Sequence, residues 1–280
     1  MATFTPTADV VAEAVQAGYF PPRHTVEITD VTQLAPGVVR LAFHDPYIAA
    51  HAKPAQFVNL YTKDPMRLMP RPFGVSEIDG DEVSVIFAVV GEGTAEFARY
   101  QAGDTVDVLG PLGNPFKTKN PAHYLLVAGG LGVPPLVRAA QHLAADERSR
   151  TTAVVGYRDV RFADDVFARY ADRTVSIDNA HGNVVTLLDR LEADGGLTVD
   201  GGLTVDGLET VILSCGPLPM MKAVAEWAAK RSLACQLSME QRMGCGFGTC
   251  VLCTVDTVDG RLKVCADGPV FTREQLGWGE

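Results

Sequence analysis

The sequence predicts an antiparallel β-barrel, then a parallel α/β domain, then a short cysteine-bearing domain. Three observations carry this. Short runs alternating apolar and polar residues with a period of two fill residues 22–118. Residues 119–232 instead alternate continuous apolar runs with stretches of helical periodicity. Four of the six cysteines, Cys245, Cys250, Cys253 and Cys265, then crowd into the last 36 residues. A chain of 280 residues is long enough for two or three domains.

Each element follows from its residues in turn. Residues 1–21 read as an extension with a short helix, Ala and Val on one face, stopping at "FPPR". "HTVEITDVTQLAPGVVRLAFHD" reads as two strands about a Pro-Gly turn, and "AQFVNLYT", "RPFGVSEI", "DEVSVIFAVVG" and "DTVDVLGPLG" as further strands. Short strands separated by Gly, Asp and Pro close the barrel. "HYLLVAGG" is an unbroken apolar run ending in glycines, which suits a strand buried on both faces. "PPLVRAAQHLAA" then has helix periodicity, with Pro134 or Pro135 at its start. "TTAVVGYRD" and "RTVSID" read as strands with the helix "ADDVFARYAD" between them, and "ETVILSCGP" with "LPMMKAVAEWAAKR" as the last strand and helix. The hexamer DGGLTV at 194–199 recurs at 200–205 and reads as a surface-loop duplication without function. Residues 233–280 are too short to be stable without a staple such as a metal centre.

Composition narrows the function classes. A formal charge of −10 argues against nucleic acid, whose phosphates need a basic footprint. No apolar run approaches the length of a membrane span, and the acidic N-terminus does not read as a signal peptide. The expected location is the cytoplasm, where six cysteines do not form a disulfide framework.

The chemistry lies in a few stretches. "LLVAGGLGVPPL" runs a buried strand through Gly129, Gly130 and Gly132 into a helix start, an arrangement that offers free N–H groups to a phosphate. Its G-G-x-G spacing falls short of the full dinucleotide fingerprint, so a plain strand-to-helix turn is the alternative. "SCGPLPMM" supplies a second such turn through Gly216 and Pro217. In the barrel, Arg71 has a guanidinium fork suited to a phosphate, and Gly93 and Thr94 of "GEGT" have N–H and hydroxyl groups for the same role. A surface arginine and a hairpin turn are the plainer readings. Cys245, Cys250, Cys253 and Cys265 are spaced C-x4-C-x2-C and then eleven residues to the last, which matches the plant-type [2Fe-2S] pattern. Structural zinc sites typically use two C-x2–4-C pairs; only Cys250 and Cys253 make a clean pair here and Cys265 stands alone, so zinc stands as the alternative.

With these motifs in order, the chain resembles the ferredoxin–NADP reductase superfamily. More narrowly it is similar to the electron-transfer subunits of class 1B dihydroorotate dehydrogenases. The narrower likeness rests on "GPLGNPF", "SMEQRMGCGFGTCVLC" and "KVCADGPVF", and the likeness runs over about residues 22–271. It implies an FAD-binding barrel at 22–118, a Rossmann-like NAD-binding domain at 119–232 and a [2Fe-2S] domain at 233–280. Arg71, Pro72, Phe73 and Gly74 would line the FAD, with Arg71, Gly93 and Thr94 on its phosphates and Asn59, Leu60 and Tyr61 nearby. Gly129, Gly130 and Gly132, with Cys215, Gly216 and Pro217, would hold the nicotinamide nucleotide, and the four cysteines one cluster. Gly74 departs from the resemblance, which has serine there; Ser76, two residues on, is not assigned that role.

The resemblance also implies a reaction and partners. Electrons would pass from NADH through FAD and [2Fe-2S] to the FMN of a dihydroorotate dehydrogenase catalytic subunit in pyrimidine synthesis, in a two-plus-two heterotetramer. No residue is assigned acid–base catalysis. Related subunits of sulfhydrogenases and ferredoxin:NADP oxidoreductases are the nearest alternative. A zinc-containing, non-enzymatic nucleotide-binding protein is the distant one. Arg158 and Arg161 read as solvated loop charges, with a nucleotide 2′-phosphate as their other possible partner.

Overall fold

The computed structural model describes residues 8–17, 20, 22–118, 121–195, 198–199, 203–205 and 207–279. Helix α1 (Ala8–Gln16) lies in the predicted N-terminal extension. The period-two segments fold as β1 (His24–Ala35), β2 (Val38–His44), β3 (Phe57–Tyr61), β4 (Arg71–Asp79), β5 (Glu82–Ala88) and β6 (Thr105–Leu112). They close into an antiparallel barrel in the order β1-β2-β5-β4-β3-β6, so no edge is left unpaired. Short helices α2 (Pro46–His51) and α3 (Glu92–Phe97) plug its ends. Ile28, Leu41, Phe43, Leu60, Val85 and Phe97 are fully or almost fully buried inside it.

A buried ion pair ties the start of the barrel to α2. His24 Nε2 lies 2.7 Å from Asp45 Oδ2 and its Nδ1 2.9 Å from the Pro22 carbonyl oxygen, while Asp45 Oδ1 caps α2 by accepting from Tyr47 N and Ile48 N. Burial pushes the imidazole down, but Asp45 and the Pro22 carbonyl outweigh it and leave the pKa raised. A raised folded-state value adds stability that is fully present below the unfolded pKa and fades as pH rises through the folded one. The thermal stability of the native chain over His24→Gln is therefore expected to be largest near pH 6 and to shrink towards about pH 9, as melts at the two pH values would measure.

The second layer is a parallel sheet. Strands β7 (His123–Gly129), β8 (Arg150–Tyr157) and β9 (Arg173–Asp178) alternate with α4 (Val133–Leu143), α5 (Asp164–Ala168) and α6 (Val184–Ala193). The hairpin β10 (Thr198–Val199) and β11 (Leu203–Val205) precedes β12 (Leu208–Cys215) and α7 (Leu218–Ala229). β12 pairs in parallel with β7, setting Cys215 beside Ala128, so both glycine turns open at one end of the sheet. The duplicated DGGLTV is thus not a plain loop. Thr198 and Val199 of the first copy pair antiparallel with Thr204 and Leu203 of the second, and β11 pairs onto β12; residues 196–197 and 200–202 lie outside the described residues. Two β-branched residues in each copy favour strand pairing once the chain turns back.

The C-terminal segment does not stand apart. β13 (Ala234–Ser238) is a further parallel strand on β12, and after the hairpin β14 (Thr254–Thr257) and β15 (Gly260–Lys263), β16 (Val270–Thr272) pairs with β13. The cysteine loop is therefore carried on the α/β sheet itself. Barrel and sheet are bolted together at Glu77, which is buried on β4. Its Oε1 accepts from the Tyr170 hydroxyl at 2.9 Å and pairs with Arg169 Nη2 at 2.8 Å, while Gln141 of α4 exchanges hydrogen bonds with the Ile78 backbone. No helix among the described residues is long and apolar enough to cross a membrane.

Candidate active site and metal centre

Barrel, sheet and cysteine segment meet at one cleft. Phe57, Pro72, Phe73, Gly74 and Thr94 come from the barrel, Leu131, Pro134, Pro135 and Cys215 from the α/β layer, Ser238 from the end of β13, and Met239 to Gln241 with Met243 from the segment after it. It takes in about 940 Å³ of non-protein space, open solvent included. Its walls are mostly apolar and aromatic, with few polar groups to fix orientation.

Arg71 lies at the rim, folded over the turn that starts α3. A Cβ on Gly93 would run into its guanidinium, so the glycine makes room for the arginine, and Arg71 Nη1 donates to the Met69 carbonyl at 2.5 Å. Thr94 behaves differently from the sequence expectation. Its hydroxyl accepts from Val90 N at 2.9 Å and Gly91 N at 3.1 Å and donates to the Gly91 carbonyl, so it closes its own turn. Only backbone N–H groups remain there for an anion. Gly74 packs on the α/β layer: a Cβ would sit 3.2 Å from Pro135 Cδ, closer than ordinary contact. The missing serine thus accompanies a close approach of β4 to α4. Ser76 gives no substitute, since it is fully buried at a bulge, without a hydrogen-bond partner and away from the cleft.

The two glycine turns touch each other. A Cβ on Gly132 would collide with the Cys215 carbonyl, and one on Gly129 with Met220. These positions need glycine for close approach. Pro134 and Pro135 fall within the first turn of α4, so those positions have no N–H to give. Backbone donors to an anion at this turn would therefore come from Gly130, Leu131, Gly132 and Val133, which include two of the three glycines the sequence singled out. Burial pushes the Cys215 thiol well up, keeping it neutral at the cleft wall. Arg161 is already engaged, with Ser176 Oγ at 3.0 Å and Asp178 Oδ2 at 3.5 Å; the exposed Arg158 lies beside Asp159.

Asn59, Leu60 and Tyr61 do not line the cleft. Leu60 is in the barrel interior, and Tyr61 lies under the Arg23 guanidinium, 3.9 Å from its ring centre. Asn59 instead reaches the cysteine loop, its Nδ2 donating to the Cys245 carbonyl at 2.9 Å. Gly246, at φ +81°, takes a left-handed turn against it, where any Cβ would strike the Asn59 amide. Nothing in the sequence joins positions 186 residues apart, beyond the oddity of a polar Asn within an apolar strand.

The four predicted cysteines come together. Cys253 and Cys265 are buried with their sulfurs 3.2 Å apart, Gly248 N donates to Cys265 Sγ at 3.2 Å, and Cys250 N to Cys245 Sγ at 3.4 Å. Burial pushes the Cys245 thiol up, but the amides of Cys250, Phe247 and Thr249 with the Cys250 thiol outweigh it and hold it at about 6. Burial and the neighbouring Cys253 thiol push Cys265 up to about 12, against the Gly248 amide. The fit to a metal group follows from this pairing. Two sulfur pairs, Cys245 with Cys250 and Cys253 with Cys265, suit the two irons of a [2Fe-2S] group.

Known proteins resemble this chain over most of its length. The family model described as the iron-sulfur cluster binding domain of dihydroorotate dehydrogenase B matches residues 240–277. The dihydroorotate dehydrogenase B (NAD(+)) electron transfer subunit of Bacillus velezensis is 35% identical over 255 residues, covering 88% of this chain and 95% of that one. That of Bacillus caldolyticus is 38% identical over 234 residues, covering 78% and 84%. Among solved structures, an NADH-dependent reduced ferredoxin-NADP oxidoreductase superposes with a TM-score of 0.77 at 27% identity, over 90% of each chain. A ferredoxin NADP+ reductase from Neisseria gonorrhoeae, with bound FAD and NADP, shares the fold at a TM-score of 0.60 and 18% identity, over 75% of this chain and 91% of that one.

Proposed function

The chain belongs to the family of dihydroorotate dehydrogenase B electron transfer subunits, and from that premise we propose that it passes electrons from NADH through FAD and a [2Fe-2S] cluster to the FMN of a separate dihydroorotate dehydrogenase catalytic subunit. The observation that carries the proposal is a shared wall: Met243 lines the cleft and stands two residues before Cys245. A flavin accepts a hydride pair and gives up electrons singly, and a two-iron cluster takes them one at a time.

The chain's own residues bind, orient and exclude water. Arg71 and the N–H groups at Gly93 and Thr94 would hold the FAD phosphates, while Pro72, Phe73 and Gly74 wall the ring site. The turns at Gly129, Gly130, Gly132, Cys215, Gly216 and Pro217 would hold the NADH phosphates and bring the nicotinamide to that site. Cys245 and Cys250 would ligate one iron and Cys253 and Cys265 the other, with backbone amides aimed at their sulfurs. Hydride transfer needs no protein acid or base, and none is assigned. The division at 22–118, 119–232 and 233–280 belongs to the same proposal, with the qualification that β13 and β16 are strands of the central sheet. All six cysteines are unpaired, which supports the cytoplasmic assignment.

The catalytic partner, in a two-plus-two assembly, would dock where the electron leaves. Phe247, Val251 and Leu252 of the cysteine loop are exposed, as are Met66, Leu68 and Met69 before β4; Met69 and Leu252 both flank Gly244. A contiguous apolar surface of this kind marks an interface. The double change Val251→Asp with Leu252→Glu is expected to weaken partner binding by about 100-fold. NADH-dependent reduction of ferricyanide, which needs only the flavin, should be unchanged. Binding by calorimetry beside that assay checks both.

A second reading is favoured by the likeness to the ferredoxin-NADP oxidoreductase: the same relay serving another acceptor, as in that enzyme or a sulfhydrogenase. Capture of the tagged chain from native lysate tests the choice. A catalytic chain that gives orotate-dependent NADH oxidation supports the first reading; a hydrogenase or ferredoxin-type partner supports the second.

A further inference from the structure

Lys263 ends β15, opposite Thr254 and two residues before Cys265. Its backbone is fixed on both sides: its N–H donates to Asp267 Oδ2 at 2.7 Å, and its carbonyl accepts from the N–H groups of Ala266 and Asp267. From this anchor the side chain crosses to the cysteine loop, where Nζ donates to the Gly248 carbonyl oxygen at 2.6 Å, a charge-assisted bond. The N–H of the same residue, Gly248, donates to Cys265 Sγ at 3.2 Å. The ammonium is therefore linked to a ligand sulfur through a single residue. A cation fixed on that residue adds its field to the amide's at the same sulfur.

We propose that Lys263 is a positioning residue that sets the reduction potential of the cluster, its charge, held on Gly248 beside Cys265, favouring the reduced state. The inference rests on the assignment of a [2Fe-2S] cluster to these cysteines. On reduction one electron arrives, supplied by NADH through the flavin, and no bond or proton moves at the ligands. The site gains one unit of negative charge, and a cation fixed on the residue whose N–H meets Cys265 stabilises it. Without that cation the cluster would be harder to reduce and the relay would stall at the flavin.

The test is an EPR-monitored potentiometric titration of the anaerobically purified full chain as wild type, K263M, K263Q and K263R. At the wild type's midpoint the ratio of reduced to oxidised cluster is expected to fall about tenfold in K263M and K263Q, a 59 mV shift for one electron. K263R should stay within about twofold, because charge and donor survive. K263Q retains an N–H for Gly248, so it decides between charge and hydrogen bond if K263M holds no cluster. Midpoints in K263M and K263Q within about twofold of wild type would overturn the proposal. So would loss of the cluster from both neutral variants, which makes the lysine purely structural. A wild type without iron instead overturns the assignment of the cysteine loop, and the inference with it.

Discussion

Replacing Cys253 with serine is expected to strip the two-iron cluster from the chain and to cut orotate-dependent NADH oxidation by at least about 100-fold, as loss of a ligand exceeds the 10–100-fold seen for outer-shell changes. Cys253 is fully buried, with its sulfur 3.2 Å from Cys265, so no solvent ligand can take its place. The Cys253 carbonyl also accepts from Val264 N at 2.8 Å, and that backbone bond survives the change, so the loop should keep its course. NADH-dependent ferricyanide reduction should persist within a few-fold, because the cleft lies upstream of the loop. Iron content, visible absorption and the two assays together measure this. A serine variant that retained partner-dependent turnover would remove the cysteines from the electron path.

Arg71→Ala is the second large effect, and it acts on the flavin. Arg71 is half-buried at the rim, so losing its charge-assisted bonds to the phosphates is expected to cost about 1.5–3 kcal/mol, roughly a 10- to 100-fold loss of FAD affinity. Arg71→Lys should lie between, because a point charge replaces a planar fork. Gly93→Val gives an independent approach, since its side chain would occupy the guanidinium's place. Flavin fluorescence on dilution measures all three. FAD binding by Arg71→Ala as tight as wild type would displace the phosphate site from this rim.

The outlines of fold and site were legible because their signals are local. Period-two runs marked all six barrel strands, and apolar runs ending in glycine marked β7 and β12. The cysteine spacing singled out four sulfurs that fold together. What stayed hidden depends on partners distant in sequence. The Thr94 hydroxyl is consumed by its own turn, the Gly74 departure answers Pro135, and Asn59 serves Cys245 rather than the cleft. β13 looked like the start of a separate domain because five residues carry no sign of the strand they will pair with. The DGGLTV hairpin was hidden for a related reason: a repeat rich in Gly and Asp reads as loop until its two copies meet.

The central claim is that one chain couples a nicotinamide donor to a two-iron cluster through a flavin. Anaerobic titration of the isolated chain with NADH, followed by visible absorption and low-temperature EPR, tests it most directly. The expected result is about one FAD and two irons per chain, with the flavin band bleached and the signal of a reduced two-iron cluster appearing as NADH is added. Zinc in place of iron, with no flavin absorbance and no EPR signal on adding NADH, would contradict it.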